Sequence, residues 1–108
     1  MNIIYHVTTQ AEWDTALLNG QYTAPSLALE GFIHCSTEHQ VAGVLERYFK
    51  GKENLVKLTI DTARLTNRLQ YDLAPSVGQE FPHVYGTINV DAVIKTEPLQ
   101  GDLVKSEH

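Results

Sequence analysis

Residues 31–37, Gly-Phe-Ile-His-Cys-Ser-Thr, constrain the fold more than any other stretch, because an apolar strand there runs straight into a helix. The helix is marked by Val41, Val44, Leu45, Tyr48 and Phe49, which recur at i, i+3, i+4, i+7 and i+8, the stripe of a helix packed on a core. Thr37 with Gln40, or Ser36 with the first-turn amides, supplies its cap, and Gly51 its stop. Side chains alternate along a strand, so His34 and Ser36 share one face and Ile33 and Cys35 the other. A junction of this kind leaves polar groups where two elements meet, which is a location for a site. A second segment repeats the pattern: in Ile3-Ile4-Tyr5-His6-Val7-Thr8, His6 and Thr8 share a face opposite Ile3, Tyr5 and Val7.

The remaining chain falls into short elements. Thr9 with Glu12 three positions later forms a capping box, which starts a helix over residues 11–19 that Gly20 closes. Residues 21–29 read mostly as loop, with Pro25-Ser26 as a turn and at most a short helical turn through Leu27-Ala28-Leu29. Val56, Leu58 and Ile60 alternate with Lys57, Thr59 and Asp61, which predicts a strand with one wet face, and Leu69, Tyr71 and Leu73 repeat that pattern. Residues 74–80 carry Pro75 and Gly78 and no periodicity, and read as an exposed loop. Phe81-Pro82-His83-Val84-Tyr85-Gly86 follows, then a turn or short helix over 89–92 and a last strand over 93–99. Residues 101–108 read as a frayed tail. About six short strands and two main helices, grouped rather than alternating, predict an α+β domain over residues 1–108 with a mainly antiparallel, split or strongly bent sheet.

Composition enters as a set of exclusions. A net charge of -5 with eight scattered basic residues argues against a nucleic-acid partner. No apolar run reaches the length of a bilayer span and no basic start precedes an apolar stretch, so the expectation is a soluble cytoplasmic protein without a membrane partner. The single cysteine excludes an internal disulfide and a cysteine-rich zinc site. Phosphate loops, dinucleotide glycine fingerprints, nucleophile elbows and paired catalytic carboxylates are absent.

Five histidines leave the chemistry open. His6 either offers a ring nitrogen to a ligand or is a core histidine satisfied by a backbone carbonyl. His34, in an apolar strand, requires a partner, since an unpaired buried imidazole costs about 1 to 3 kcal/mol. Ser36 is explained as an N-cap and still sits where a helix N-terminus favours anions. His39 is a rim candidate, and Cys35 reads as an inert buried thiol. His83 and Tyr85 share a strand face and form either an aromatic plug or a site wall. A zinc triad of His6, His34 and His83 is a further alternative, weakened because none is paired at ligand spacing and no carboxylate stands beside any of them in sequence.

The segments Ile4-Tyr5-His6-Val7-Thr8-Thr9, Gly31-Phe32-Ile33-His34-Cys35-Ser36-Thr37 and Phe81-Pro82-His83-Val84-Tyr85-Gly86 resemble the signatures of a small bacterial family of unknown function that is grouped with the ADP-ribosyltransferase-like fold. The resemblance implies a split antiparallel sheet around a nicotinamide-dinucleotide cleft, with NAD as a possible cofactor and a nucleotide-like small molecule as ligand. It makes His6, His34 and His83 the catalytic candidates and Thr8, Ser36 and Tyr85 the ligand-binding ones, with His6 and His34 opening into one cleft. The activity implied is an NAD- or ADP-ribose-handling transferase or hydrolase. The glutamate such enzymes carry on a late strand has no counterpart here: His83 and Tyr85 occupy that segment and Glu80 precedes it. The alternative is a non-catalytic binding module that keeps the cleft.

Overall fold

Strand β4, Leu55–Asp61, is the axis of the structure, a computed structural model that describes residues 2–99. The expected tail over 101–108 lies outside the described residues. β4 lies between β1 (Ile3–Thr9) and β8 (Val93–Leu99), antiparallel to both. Its alternation predicts one wet face, but Thr59 and Asp61 are buried with Val56, Leu58 and Ile60. A central strand with neighbours on both edges and further elements packed over it leaves little of either face to water. Asp61 remains satisfied there, accepting the Ala63 amide at 3.0 Å.

A second sheet has the order β3-β6-β5, with β3 at Ile33–His34, β6 at Gln79–Tyr85 and β5 at Arg68–Ala74. β5 and β6 form a hairpin in which Ala74 pairs with Gln79. The stretch read as an open loop is therefore a four-residue turn, closed by the Val77 and Gly78 amides on the Ala74 carbonyl. Gly78 takes φ +69°, a conformation open to glycine without strain. The two sheets meet at one bridge, where Tyr5 and Ser36 exchange backbone hydrogen bonds of 2.8 and 2.7 Å. Two further strands, β2 (Gln21–Tyr22) and β7 (Ile88–Asn89), pair with each other. At two residues each they are too short for a periodic signal.

Three helices cover these sheets. α1 (Gln10–Asn19) has the expected capping box and buries Trp13 and Ala16. α2 (Pro25–Glu30) occupies the region read as loop, with proline in its first turn and Gly31 closing it at φ +92°. α3 (Val41–Tyr48) follows a 3₁₀ turn at Glu38–Gln40, whose Gln40 side chain accepts the Thr37 amide at 3.0 Å. Its apolar stripe was expected to pack on the core, yet no residue of α3 is buried. The core forms instead around Ile4, Trp13, Tyr22, Ile33, Leu58, Ile60, Val84 and Ile88. The fold is a small α+β domain with eight strands in three antiparallel sheets among the described residues. No helix among them is long and apolar enough to cross a membrane.

Candidate functional site

The stripe of α3 faces a cavity of about 550 Å³, which accounts for its half-exposed apolar residues. Val44, Tyr48 and Phe49 form one wall, the β5–β6 turn another, and His6, His34, Ser36 and His83 converge from the sheets. Thr8 and Tyr85 do not line the cavity. They stand behind its wall, one step removed: Thr8 meets Tyr22, which holds His6, and Tyr85 meets Asp72, which holds His83.

His6 is tied at both nitrogens. Nδ1 lies 2.5 Å from the His34 carbonyl oxygen, which can only accept, so Nδ1 carries the proton. Nε2 is then the acceptor for the Tyr22 hydroxyl at 2.7 Å. Behind it, the Tyr22 hydroxyl lies 3.0 Å from Thr8 Oγ1, and the buried Thr8 hydroxyl donates to Glu12. Burial holds the His6 imidazole down to about 4, so the ring is neutral at physiological pH. Of the two sequence readings the satisfied histidine is the one realised, and no ring nitrogen of His6 is available to a ligand. Thr8, expected to grip a ligand, is instead the middle of this chain.

His83 is arranged differently. Its Nδ1–H donates to Asp72 Oδ2 at 2.8 Å, which makes Nε2 the basic nitrogen, and Nε2 has no partner among the described residues. The ring is packed face to face against Phe32, with centroids 4.0 Å apart and planes at 13°. His83 is only 7% exposed, and no fully buried side-chain nitrogen or oxygen lacks a partner, so Nε2 retains open surface on an otherwise enclosed ring. Asp72 also accepts hydrogen bonds from Gln70 and Tyr85, and these, with His83, hold its carboxyl down to about 2. Tyr85 is raised in turn by donating to Asp72, and Arg68 lies 4.5 Å over its ring. Tyr85 thus holds the carboxylate that holds the His83 ring.

His34 also finds a carboxylate, but at the surface: its Nε2 is 2.5 Å from Glu30 Oε1, and both side chains are about half exposed. The expectation of a buried His34 fails because β3 is only two residues long and its outward face meets the cavity mouth. Ser36 is buried, and it is Thr37 whose amide is capped, so the cap reading of Ser36 does not hold. The Ser36 backbone bridges to Tyr5, and its hydroxyl has no partner among the described residues. Burial pushes the Cys35 thiol up, which makes it inert as read. His39 and Glu80 are exposed and outside the cavity.

Sequence reading missed both carboxylates. Glu30 lay just past the stretch read as loop, in no expected element. Asp72 is diagonal to His83 in the β5–β6 register, two pairs from Gln70↔His83, a relation visible only once residues 74–80 are read as a hairpin turn. The zinc triad finds no support: among the described residues no three His, Cys, Asp or Glu side chains gather as a metal-holding group.

Solved structures with this architecture exist. A crystal structure of protein CC0527 from Caulobacter crescentus superposes with a TM-score of 0.82 at 28% identity, covering 96% of this chain and 99% of that one. A double mutant of that protein gives 0.81 at 27% identity, with the same coverage of both chains. Its solution NMR structure gives 0.78 at 30% identity over 94% of this chain and 90% of that one. No curated protein matches the chain. The sequence pattern described as "Protein of unknown function (DUF952)" matches residues 7–96, and the chain belongs to that family.

Proposed function

We propose that the cavity is the reaction site of a small-molecule hydrolase or transferase in which His83, held by Asp72, is the general base. The observation that carries this reading is the Asp72–His83 pair, with Nδ1 fixed on an ionised carboxylate and Nε2 left open on a ring that lines the cavity. A neutral imidazole so held takes a proton from a water or hydroxyl at Nε2, and Asp72 stabilises the imidazolium that forms. The deprotonated oxygen attacks the ligand, and the bond to the leaving group breaks. Such a base contributes typically about 10²- to 10⁴-fold in rate.

The resemblance to ADP-ribosyltransferase-like proteins adds NAD or ADP-ribose handling to this reading. The aromatic and aliphatic wall, with Ser36 and His34, suits a nicotinamide ring and a ribose. It does not suit a pyrophosphate, because no Lys or Arg among the described residues lines the cavity. The non-catalytic alternative draws on one observation, that β6 turns no carboxylate into the cavity where the resemblance calls for a glutamate.

Incubation with nicotinamide riboside, which lacks the phosphates, beside NAD and ADP-ribose, following nicotinamide or free ribose release, tests the reading. Turnover that His83→Gln abolishes supports it. Binding by calorimetry with no turnover favours the binding module, and turnover unchanged in His83→Gln removes His83 as the base.

A further inference from the structure

The charge of the cavity wall selects its ligand more sharply than its shape does. Among the described residues that line the cavity Glu30 is the one formally charged side chain, and no Lys or Arg accompanies it. Arg47, on the outer side of α3, lies over the Tyr48 ring at 5.7 Å and does not line the cavity. A phosphate lacking a cation can instead use backbone amides at a helix N-terminus, and the junction before α3 would be the place for them. The first-turn residues Glu38, His39 and Gln40 do not line the cavity, and the amides that lead into them are occupied: Cys35 N–H donates to the Pro82 carbonyl at 2.9 Å, Ser36 N–H to Tyr5 at 2.7 Å and Thr37 N–H to the Gln40 side chain at 3.0 Å. Glu38 adds a negative charge to the first turn there. An anion entering this cavity therefore loses its hydration and meets a carboxylate.

A flat cation meets the opposite conditions. Glu30 uses Oε1 on His34, and Oε2 has no partner among the described residues. Tyr48, Phe49 and Phe81 supply aromatic faces, which attract cations through the ring quadrupole. We propose that this cavity takes a phosphate-free, cationic or neutral aromatic heterocycle or amine, anchored at Glu30, and excludes anionic nucleotides. This rests on the same cavity as the proposed function and concerns its ligand, not its chemistry.

Benzamidine, benzamide, benzoate and phenyl phosphate form a series of one ring and four polar groups, and two-dimensional amide NMR on the full chain at pH 8 reads their binding site and affinity without any turnover. The expected order is benzamidine, then benzamide, then benzoate and phenyl phosphate, with shifts at Ser36, Tyr48, Phe49 and Phe81. The step from benzamidine to benzoate should be about fivefold, the upper end for one exposed ion pair. Glu30→Gln, at an exposed position where folding is not at stake, should bring benzamidine and benzamide within about twofold. Benzoate or phenyl phosphate binding as tightly as benzamidine overturns the proposal. So does an unchanged order in Glu30→Gln, or the absence of shifts around the cavity with every probe. Catalysis failing while this order holds removes the general base and leaves the ligand class standing.

Discussion

His34 and His83 stand directly opposite each other in the β3–β6 register, with ring centroids 5.1 Å apart and planes at 75°, and each is tied to its own carboxylate. Glu30 holds His34 at the cavity mouth and Asp72 holds His83 deeper in the wall. Two imidazoles so close, with separate counter-charges, differ mainly in exposure. The enclosed ring has its orientation fixed by its partners, whereas the outer one stands open to water.

Asp72→Asn should disturb which nitrogen of His83 carries the proton. The carboxylate accepts only, whereas an amide can turn its NH₂ toward Nδ1 and drive the proton to Nε2. Nitrogen-15 shifts should show the Nδ1–H form in the parent and a large Nε2–H fraction in the variant. Any turnover found should fall about 10²- to 10⁴-fold. An unchanged tautomer would show that Asp72 does not set it.

Phe32→Leu tests the stack without emptying the space. Stability should drop by less than about 1.5 kcal/mol, as for a swap of similar apolar volume. The His83 ring should nevertheless lose its single orientation, seen as exchange broadening of its carbon-bound protons. Sharp, unshifted ring signals in Phe32→Leu would show that the β-strand alone fixes the imidazole.

Stability should fall on acidification earlier than carboxylates alone would cause. His6 in the unfolded chain takes a proton near pH 6.5, while burial in the fold holds it down to about 4. The unfolded state therefore binds more protons between these values, and stability is full above about 6.5 and lost as pH falls toward 4. The loss should be roughly 2 to 3 kcal/mol, read as the shift of urea unfolding free energy between pH 7 and 4.5. His6→Gln should flatten that slope, and an equally steep slope in the variant would assign the loss elsewhere.

Gly86→Ala should be the most damaging of the glycine substitutions. Gly86 has φ +148°, and an added Cβ would lie 2.5 Å from Asn67 Nδ2 and 2.6 Å from its Cγ. Asn67 Nδ2 donates to the Thr87 carbonyl at 2.8 Å, so moving aside breaks that bond. Backbone strain and the lost bond together should cost about 2 to 4 kcal/mol, measured as a fall in thermal midpoint. Gly20→Ala, at φ +83° with open space around the new carbon, should cost only about 1 kcal/mol. Equal losses at both positions would refute the steric account.

Much of this architecture was legible in the sequence because it rests on local signals. The capping box at Thr9 and Glu12, the Gly20 stop, and the strands at 3–9, 55–61 and 93–99 follow from spacing and residue type, whereas α3 closes at Phe49, before reaching the expected stop at Gly51. Strands β2 and β7 were not legible, since two residues carry no period and only their pairing makes them strands. The site was legible as a place: His6, His34, Ser36 and His83 all reach one cavity. Their roles were not, because a role depends on partners far away in sequence. His6 is occupied by Tyr22 across 16 residues, and His83 is held by Asp72 across 11. The stripe of α3 shows the limit of amphipathic patterning, which says that a face is covered and not whether a core or a cavity covers it.

The chain from His6 through Tyr22 and Thr8 to Glu12 has three contacts and, with His6 neutral and Glu12 ionised, only two hydrogens to fill them. Thr8 spends its hydrogen on the carboxylate and Tyr22 on the imidazole, which leaves the 3.0 Å contact between the two hydroxyls, the longest of the three, as the one without a hydrogen. One added proton, entering at Glu12 or at Nε2, lets every donor turn toward its neighbour and fills all three contacts at once. Acid therefore turns the hydrogens of all four side chains, whichever end of the chain takes the proton.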